Sequence, residues 1–314
     1  MFTTSSNSHL IRSNIWSPIL KDVLEDELMG TKYVRMLEGF PDGDTFNIPS
    51  IGQAEVYDYV ENAPVQYTSM DTGNFTFTIT DYKASGMYIT EKMKQDAFYT
   101  NELVSSFIPK QHRAIMKALE VDILALGPDG QTASNVNSIN GADHRWVGSG
   151  TSESIAIKDF AKANYALNMA NVPSQGRVAI LDPSCEYTLA TLTNLVNVSY
   201  NPKWEGIVRD GMSTGMKFYF NILGFDVYMS QNLKQGVAET IGSLTTTTAA
   251  ANLFFSAVPD VLPFVGAIRQ PPRVFSEFNK DRQRDEFVTT MRYGLGFFRP
   301  ENLCVVLTDT NVVT

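Results

Sequence analysis

The chain has 314 residues, 43% hydrophobic and 19% charged, the balance of a globular protein long enough for a sizeable core in one large or two ordinary domains. A net charge of −9, from 34 acidic and 25 basic residues, argues against a protein that coats nucleic acid through a basic stripe. Two cysteines cannot build a disulfide framework, no run approaches the roughly 18 apolar residues of a membrane helix, and residues 1–8 lack the pattern of a signal peptide. The expectation is therefore a soluble protein made in a reducing compartment.

Residues 1–16 are polar and without periodicity, an extended arm. Ser17-Pro18 then offers an N-cap and a first helical residue for a helix whose apolar face is Leu20, Val23, Leu24 and Leu28, ended at Gly30. After the turn Phe40-Pro41-Asp42-Gly43-Asp44 come strand-like runs. Phe46 and Ile48 alternate with polar neighbours, and Glu55 to Val60 sets Tyr57 and Tyr59 on one face. Asn74 to Tyr82 puts Phe75, Phe77 and Ile79 on one side and Thr76, Thr78 and Thr80 on the other. Two long strands joined by a loop make a thin ribbon. Such a ribbon is marginal in water alone, so its apolar face must be covered by the rest of the chain or by another copy.

Thr90 caps a helix from Glu91 to about Phe107, where Pro109 ends or kinks it. A second helical stretch carries Ile115, Ala118, Leu119, Ile123 and Leu126 on one face. Collinear, residues 91–126 would form a spine on the order of 50 Å long. Residues 127–154, opening Gly127-Pro128-Asp129-Gly130, read as a long loop. A helix follows over 155–171, then a buried strand Val178 to Leu181. A further helix is capped by Asp182, with Cys185, Leu189, Leu192 and Leu195 on one stripe. Ile222 to Met229 reads as one strand bent at Gly224, and 236–252, rich in Gly, Thr and Ala, as a loop. Strands are expected at 253–258, 286–298 and 303–308. The interleaving of helices and strands indicates an α+β protein.

No catalytic signature survives inspection. There is no phosphate-binding G-x-x-x-x-G-K-[ST] or G-x-G-x-x-G, and Gly148-Ser149-Gly150 lacks the first glycine of a nucleophile elbow, where Trp146 stands. His9, His112 and His144 are far apart, and a zinc helix would need a histidine where Met116 is. Asp143-His144 fits a turn in a Gly- and Asn-rich loop, and Cys185 and Cys304 fit small buried hydrophobes. The acidic cluster Asp22, Glu25, Asp26 and Glu27 is a solvated face. Arg282 and Arg284, among Lys280, Asp281, Asp285 and Glu286, make a mixed-charge turn, and Trp204 is a core residue. No cofactor or metal is expected.

The order of these segments resembles the major capsid proteins of tailed double-stranded DNA phages, whose fold also serves encapsulin shells. Asp44-Thr45-Phe46-Asn47-Ile48-Pro49 and Ile79-Thr80-Asp81-Tyr82-Lys83 are similar to the two strands of the extended loop in that family. The run from Ile222 to Ser230, followed by Asn232-Leu233, is similar to an axial-domain strand. Arg292-Tyr293-Gly294 and Arg299-Pro300-Glu301 are similar to the closing segment. The resemblance implies an N-terminal arm over 1–39, an extended loop over 40–89 and a spine helix with the first part of a peripheral domain over 90–154. An axial domain over 155–270 and peripheral return strands over 271–314 complete the division, with 236–252 the candidate for the part nearest the capsomer axis.

It also implies the role: pentamers and hexamers closing into an icosahedral shell around double-stranded DNA, in the virion, assembled in the host cytoplasm. Separate scaffolding, portal and decoration proteins are the expected partners. The inter-subunit contacts would come from Phe46, Ile48, Tyr57, Tyr59, Phe75, Phe77, Ile79 and Lys83 in and beside the extended loop. Some relatives cross-link a lysine to an asparagine, but no motif marks Lys83 or a partner for that, so no cross-link is expected. The alternatives are an encapsulin-like cargo compartment and, more remotely, a soluble enzyme using Asp143, His144 and Cys185.

Overall fold

The computed structural model describes residues 28–37, 43, 45–51, 56–62, 64, 72–96, 100–191 and 218–310. The expected helix after Ser17-Pro18, the acidic cluster on it, Leu192, Leu195 and Trp204 lie outside the described residues. In chain order the strands are β1 (Val34–Leu37), β2 (Thr45–Ile51), β3 (Thr72–Thr78) and β4 (Asp81–Thr90). Helices α1 (Glu91–Asp96) and α2 (Thr100–Gly130) follow, then β5 (Arg145–Val147), α3 (Ile157–Met169), β6 (Arg177–Leu181) and α4 (Pro183–Thr191). The chain continues through β7 (Phe218–Ile222), β8 (Phe225–Met229), β9 (Val237–Ile241), β10 (Leu244–Ser256), β11 (Phe264–Asn279), β12 (Arg284–Phe297) and β13 (Cys304–Asp309).

A mixed seven-stranded sheet runs β5-β13-β10-β6-β8-β7, with β9 paired to the first part of β10. A four-stranded sheet runs β1-β11-β12-β4, and β2 with β3 makes a two-stranded ribbon. Side chains alternate across a strand, so β10 and β13 serve two cores at once. Ala249, Ala251, Leu253, Phe255, Val305 and Leu307 face Leu119, Ile123 and Leu124 of α2 and Phe264, Met291 and Tyr293 of the four-stranded sheet. Phe254, Cys304 and Val306 face Phe160, Ala163 and Leu167 of α3 and Cys185 and Leu189 of α4. Cover on both faces is why 249–255 reads as an almost unbroken apolar run rather than an alternating one. The exception, Asn252, is fully buried and satisfied. It accepts from the Asp182 N–H at 2.8 Å and donates to Thr308 Oγ1 at 2.7 Å and the Val306 carbonyl at 3.1 Å.

Several elements differ from expectation. The stretch 236–252 is no loop: β9 and the start of β10 form a hairpin turning at Gly242, whose φ is +65. Its threonines are strand formers on a half-exposed ribbon, and Ala249 to Ala251 are small because both faces are covered. Ile222 to Met229 is not one bent strand but the end of β7 and all of β8, paired antiparallel across Leu223-Gly224. Helix α2 passes through Pro109 and Pro128 and ends only at Gly130, so the loop expected from 127 begins four residues later. At about 1.5 Å per residue it is roughly 46 Å long. Glu55 to Val60 does not form a strand where it is described, 56–60.

The two-stranded ribbon is also shorter than the sequence suggests. It ends at Thr78, because β4 leaves it to pair with β12 from Asp81 to Thr90. Long β11 was not legible at all. Pro271 and Pro272 interrupt it, and the register with β12 shifts between Gln270 and Arg273 to accommodate them. The seven-stranded sheet takes β5 and β13 from outside 155–270, and residue 270 lies within β11, so divisions along the chain are not divisions between sheets.

Candidate inter-subunit surface

The ribbon is in register over its whole length, with Phe46 opposite Phe77 and Ile48 opposite Phe75. The β3 alternation is as read from the sequence: Phe75, Phe77 and Ile79 turn inward and Thr76, Thr78 and Thr80 outward. What covers the inward face is this same chain. Phe77 is 7% exposed and Ile79 3%, packed with Val265 and Ala267 of β11 and with Leu37, Ile48, Phe75 and Phe298. The Phe75 ring meets Phe298 edge-on at 5.2 Å between centroids. At the ribbon root much of the hydrophobic gain of Phe77 and Ile79 is therefore made within this chain. Of Phe46 the structure gives the strand position alone.

Beyond the root, every described residue from Val56 to Pro64 is exposed. Val56 is 95% exposed, Tyr59 77%, Val60 63% and Tyr57 45%. Four large apolar side chains within five residues are thus exposed together, where ordinary surface apolar residues are scattered singly.

Lys83 lies on the inner face of β4, not on the ribbon. Its ammonium pairs with Asp122 of α2 at 2.9 Å, and that hydrogen bond holds its pKa above the ordinary lysine range. Tyr293 Oη donates to the same carboxylate. Lys83 therefore ties β4 to the spine. The mixed-charge turn is observed between β11 and β12. Its Gln283 carbonyl accepts the Glu91 N–H that opens α1 at 2.9 Å. Lys94 bridges Glu91 and Asp285, and Arg284 bonds Glu286 and lies over the Tyr88 ring.

Two polar anchors were not legible. Glu120, fully buried in α2, accepts from the Met29 N–H at 2.8 Å and from Asn232 Nδ2 at 3.2 Å, fixing the entry of the chain to the spine. Arg145, fully buried in β5, makes a two-pronged pair with Glu239 of β9 at 2.9 Å on each arm. Mid-helix and mid-loop charges carry no periodic signal of burial, so neither could have been found from spacing.

The residues of the enzymatic alternative are engaged elsewhere. Asp143 accepts from Ser138, and His144, whose pKa burial lowers, contacts the Ala142 carbonyl through Nδ1 at 3.2 Å. The Cys185 thiol is buried against Thr308 and Asn252. Among the described residues no cluster of metal-ligating groups occurs, and no helix is long and apolar enough to cross a membrane.

No protein-family profile matches the sequence. No curated protein matches it either. Solved structures do. A chain from Mycobacterium phage Che8 superposes with a TM-score of 0.69 at 16% identity, over 94% of this chain and 96% of that one. A chain of the capsid of cyanophage P-SCSP1u gives 0.72 at 14%, over 94% and 92%. A chain of the capsid of Ralstonia phage GP4 gives 0.69 at 10%, over 98% of each. At such identities what is shared is the fold, and it is shared from end to end.

Proposed function

We propose that this chain, which has the fold of these phage capsid chains, is a shell-building structural protein: the major capsid protein of a tailed double-stranded DNA phage, closing through pentamers and hexamers into an icosahedral capsid. The observation that carries the reading is the ribbon, rooted in the chain's own core and ending in the exposed apolar cluster of Val56, Tyr59 and Val60. Burying each such side chain on a neighbour is worth ~2 kcal/mol before ordering costs. Repetition over many contacts turns weak interfaces into a stable container.

In this reading the four-stranded sheet with α2 is the peripheral domain, and the seven-stranded sheet with α3 and α4 is the axial domain. The β9–β10 hairpin lies nearest the capsomer axis. Tyr57 and Tyr59 contact the adjacent subunit, with Phe46 and Ile48 setting the ribbon beneath them. Scaffolding, portal and decoration functions belong to separate proteins, and assembly takes place in the host cytoplasm. The acidic surface suits a container that must not bind its DNA tightly, since like charge repels phosphate. Electron microscopy of the expressed chain tests the proposal. Closed particles or capsomer rings are expected, and persistent monomers at high concentration would overturn it. Particles found to hold an enzyme cargo and no DNA would replace the capsid reading with a cargo compartment.

A further inference from the structure

The surface under the ribbon root is made of very small residues. Val265 pairs with Gly296 and Ala267 with Gly294, and paired residues share a face of the sheet. That face is where Phe75, Phe77 and Ile79 sit. A methyl group at Gly294 would come within 2.8 Å of Ile79 Cα and 3.0 Å of the Thr78 carbonyl oxygen. One at Gly296 would come within 3.0 Å of the tip of the Phe75 ring and 3.3 Å of Phe77 Cβ. Neither glycine has a positive φ, so backbone freedom is not why they are there. Glycine inside a strand is destabilising relative to alanine, and its use here lies in the close approach it permits. The approach to Gly294 occurs at residues 78 and 79, where β3 ends and the chain passes from the ribbon toward β4.

We propose that Gly294 and Gly296 are positioning residues: they form a seat that sets the angle at which the ribbon leaves the body, and this angle determines whether subunits can close into a shell. The assembly half of the proposal rests on the shell reading above; the seat itself does not. The two positions differ in kind. At Gly294 the nearest obstructing atom is backbone, Ile79 Cα, with the Thr78 carbonyl oxygen beside it, so an added side chain must move the root. At Gly296 the nearest atom is the end of a ring that can turn aside.

The test uses the full chain with spin labels on Glu61→Cys near the ribbon tip and Lys117→Cys on α2. Both positions are exposed, while the native thiols are buried. Gly294→Ala is expected to shift the distance distribution between the labels while leaving amide protection in the seven-stranded sheet unchanged. Closed particles at a fixed chain concentration should fall by about tenfold or more. Gly296→Ala should act in the same direction but less, and Phe75→Leu, which removes the ring tip, should reverse it. The same change should not rescue Gly294→Ala. If Gly294→Ala fails to fold, the Gly296→Ala and Phe75→Leu pair carries the decision alone. Unchanged distances in Gly296→Ala, or shifted distances with normal particles, would overturn the proposal. A wild-type chain that never assembles would instead overturn the shell reading, and the label distances would still report on the seat.

Discussion

Arg145 is fully buried, yet only one side of its guanidinium is matched: Nε and Nη2 meet the Glu239 carboxylate, while Nη1 has no hydrogen-bond partner. The Glu239 side chain is 21% exposed, so the two partners stand differently toward water. Removing the carboxylate strands a buried cation, whereas removing the cation leaves an anion that water can reach. Glu239→Gln is therefore expected to cost ~3 kcal/mol and Arg145→Met less, measured by urea unfolding of the unassembled chain. The opposite order would contradict this account.

The two thiols make a second residue-scale prediction. Burial pushes the Cys185 pKa from 9.0 up to about 12 and raises that of Cys304 as well. A raised folded pKa means that the unfolded chain releases the proton first. The stability these groups contribute is thus complete below the unfolded value and lost as pH climbs through the interval up to the folded one. Each thiol should give a loss of up to ~1.4 kcal/mol per pH unit above about pH 9. Burial likewise pushes Tyr33 up to about 12, and Tyr293 is raised by burial and by Asp122, so both tyrosines add to the fall above about pH 10. Unfolding midpoints measured against pH should bend downward there, and Cys304→Ala should flatten the curve. Both cysteines were legible as buried from their apolar stripes; the partners Asn252 and Thr308 were not, because they come from β10 and β13.

At the scale of elements, the misread hairpin explains itself through one turn. Leu223 and Gly224 have φ of +47 and +88, the mirror-image turn that suits the twist of two paired strands. The usual sequence signal is Asn-Gly. With leucine in the first place, the apolar run looks continuous and the turn is hidden. Leu223 is half-exposed and gains little from packing, so leucine in a left-handed conformation is strain without compensation. Leu223→Asn should stabilise the chain by ~1 kcal/mol and raise its melting temperature by about 2 °C. An unchanged or lower midpoint would rule out strain at this turn.

Strands β6 and β13 were readable because the runs Val178 to Leu181 and Cys304 to Leu307 are apolar on both faces. Most of β11 beyond Ala267 is exposed and carries two prolines, so no local period marks it. The same limit applies to α2. Prolines 109 and 128 read as breaks, but the packing of Leu119, Ile123 and Leu124 against both sheets outweighs the loss of individual helix hydrogen bonds.

At the scale of the whole molecule, the order of segments was legible and their partners in space were not. Val34 pairs with Phe264, and Val305 with Arg145, across separations that local periodicity cannot encode. The same gap applies to the ribbon. Its alternation marks an apolar face without saying which surface covers it; the structure covers that face at the root and leaves separate apolar residues exposed at 56–60. The root is finished by β11 and β12; if the proposed shell assembly holds, the tip is where it should be sensitive. Tyr59→Ser with Val60→Ser removes apolar area that does not serve the monomer, so folding stability should change by less than ~0.5 kcal/mol. Each lost side chain should weaken a subunit contact by ~2 kcal/mol. The concentration at which particles appear, followed by light scattering and checked by microscopy, should rise by well over about tenfold, the factor that corresponds to ~1.4 kcal/mol. A matched change at the root, Phe77→Ala, should do the reverse, costing ~3–5 kcal/mol in unfolding before any assembly defect is seen. If the tip variant assembles at the wild-type threshold, the exposed cluster at 56–60 is not the adhesive surface of the shell.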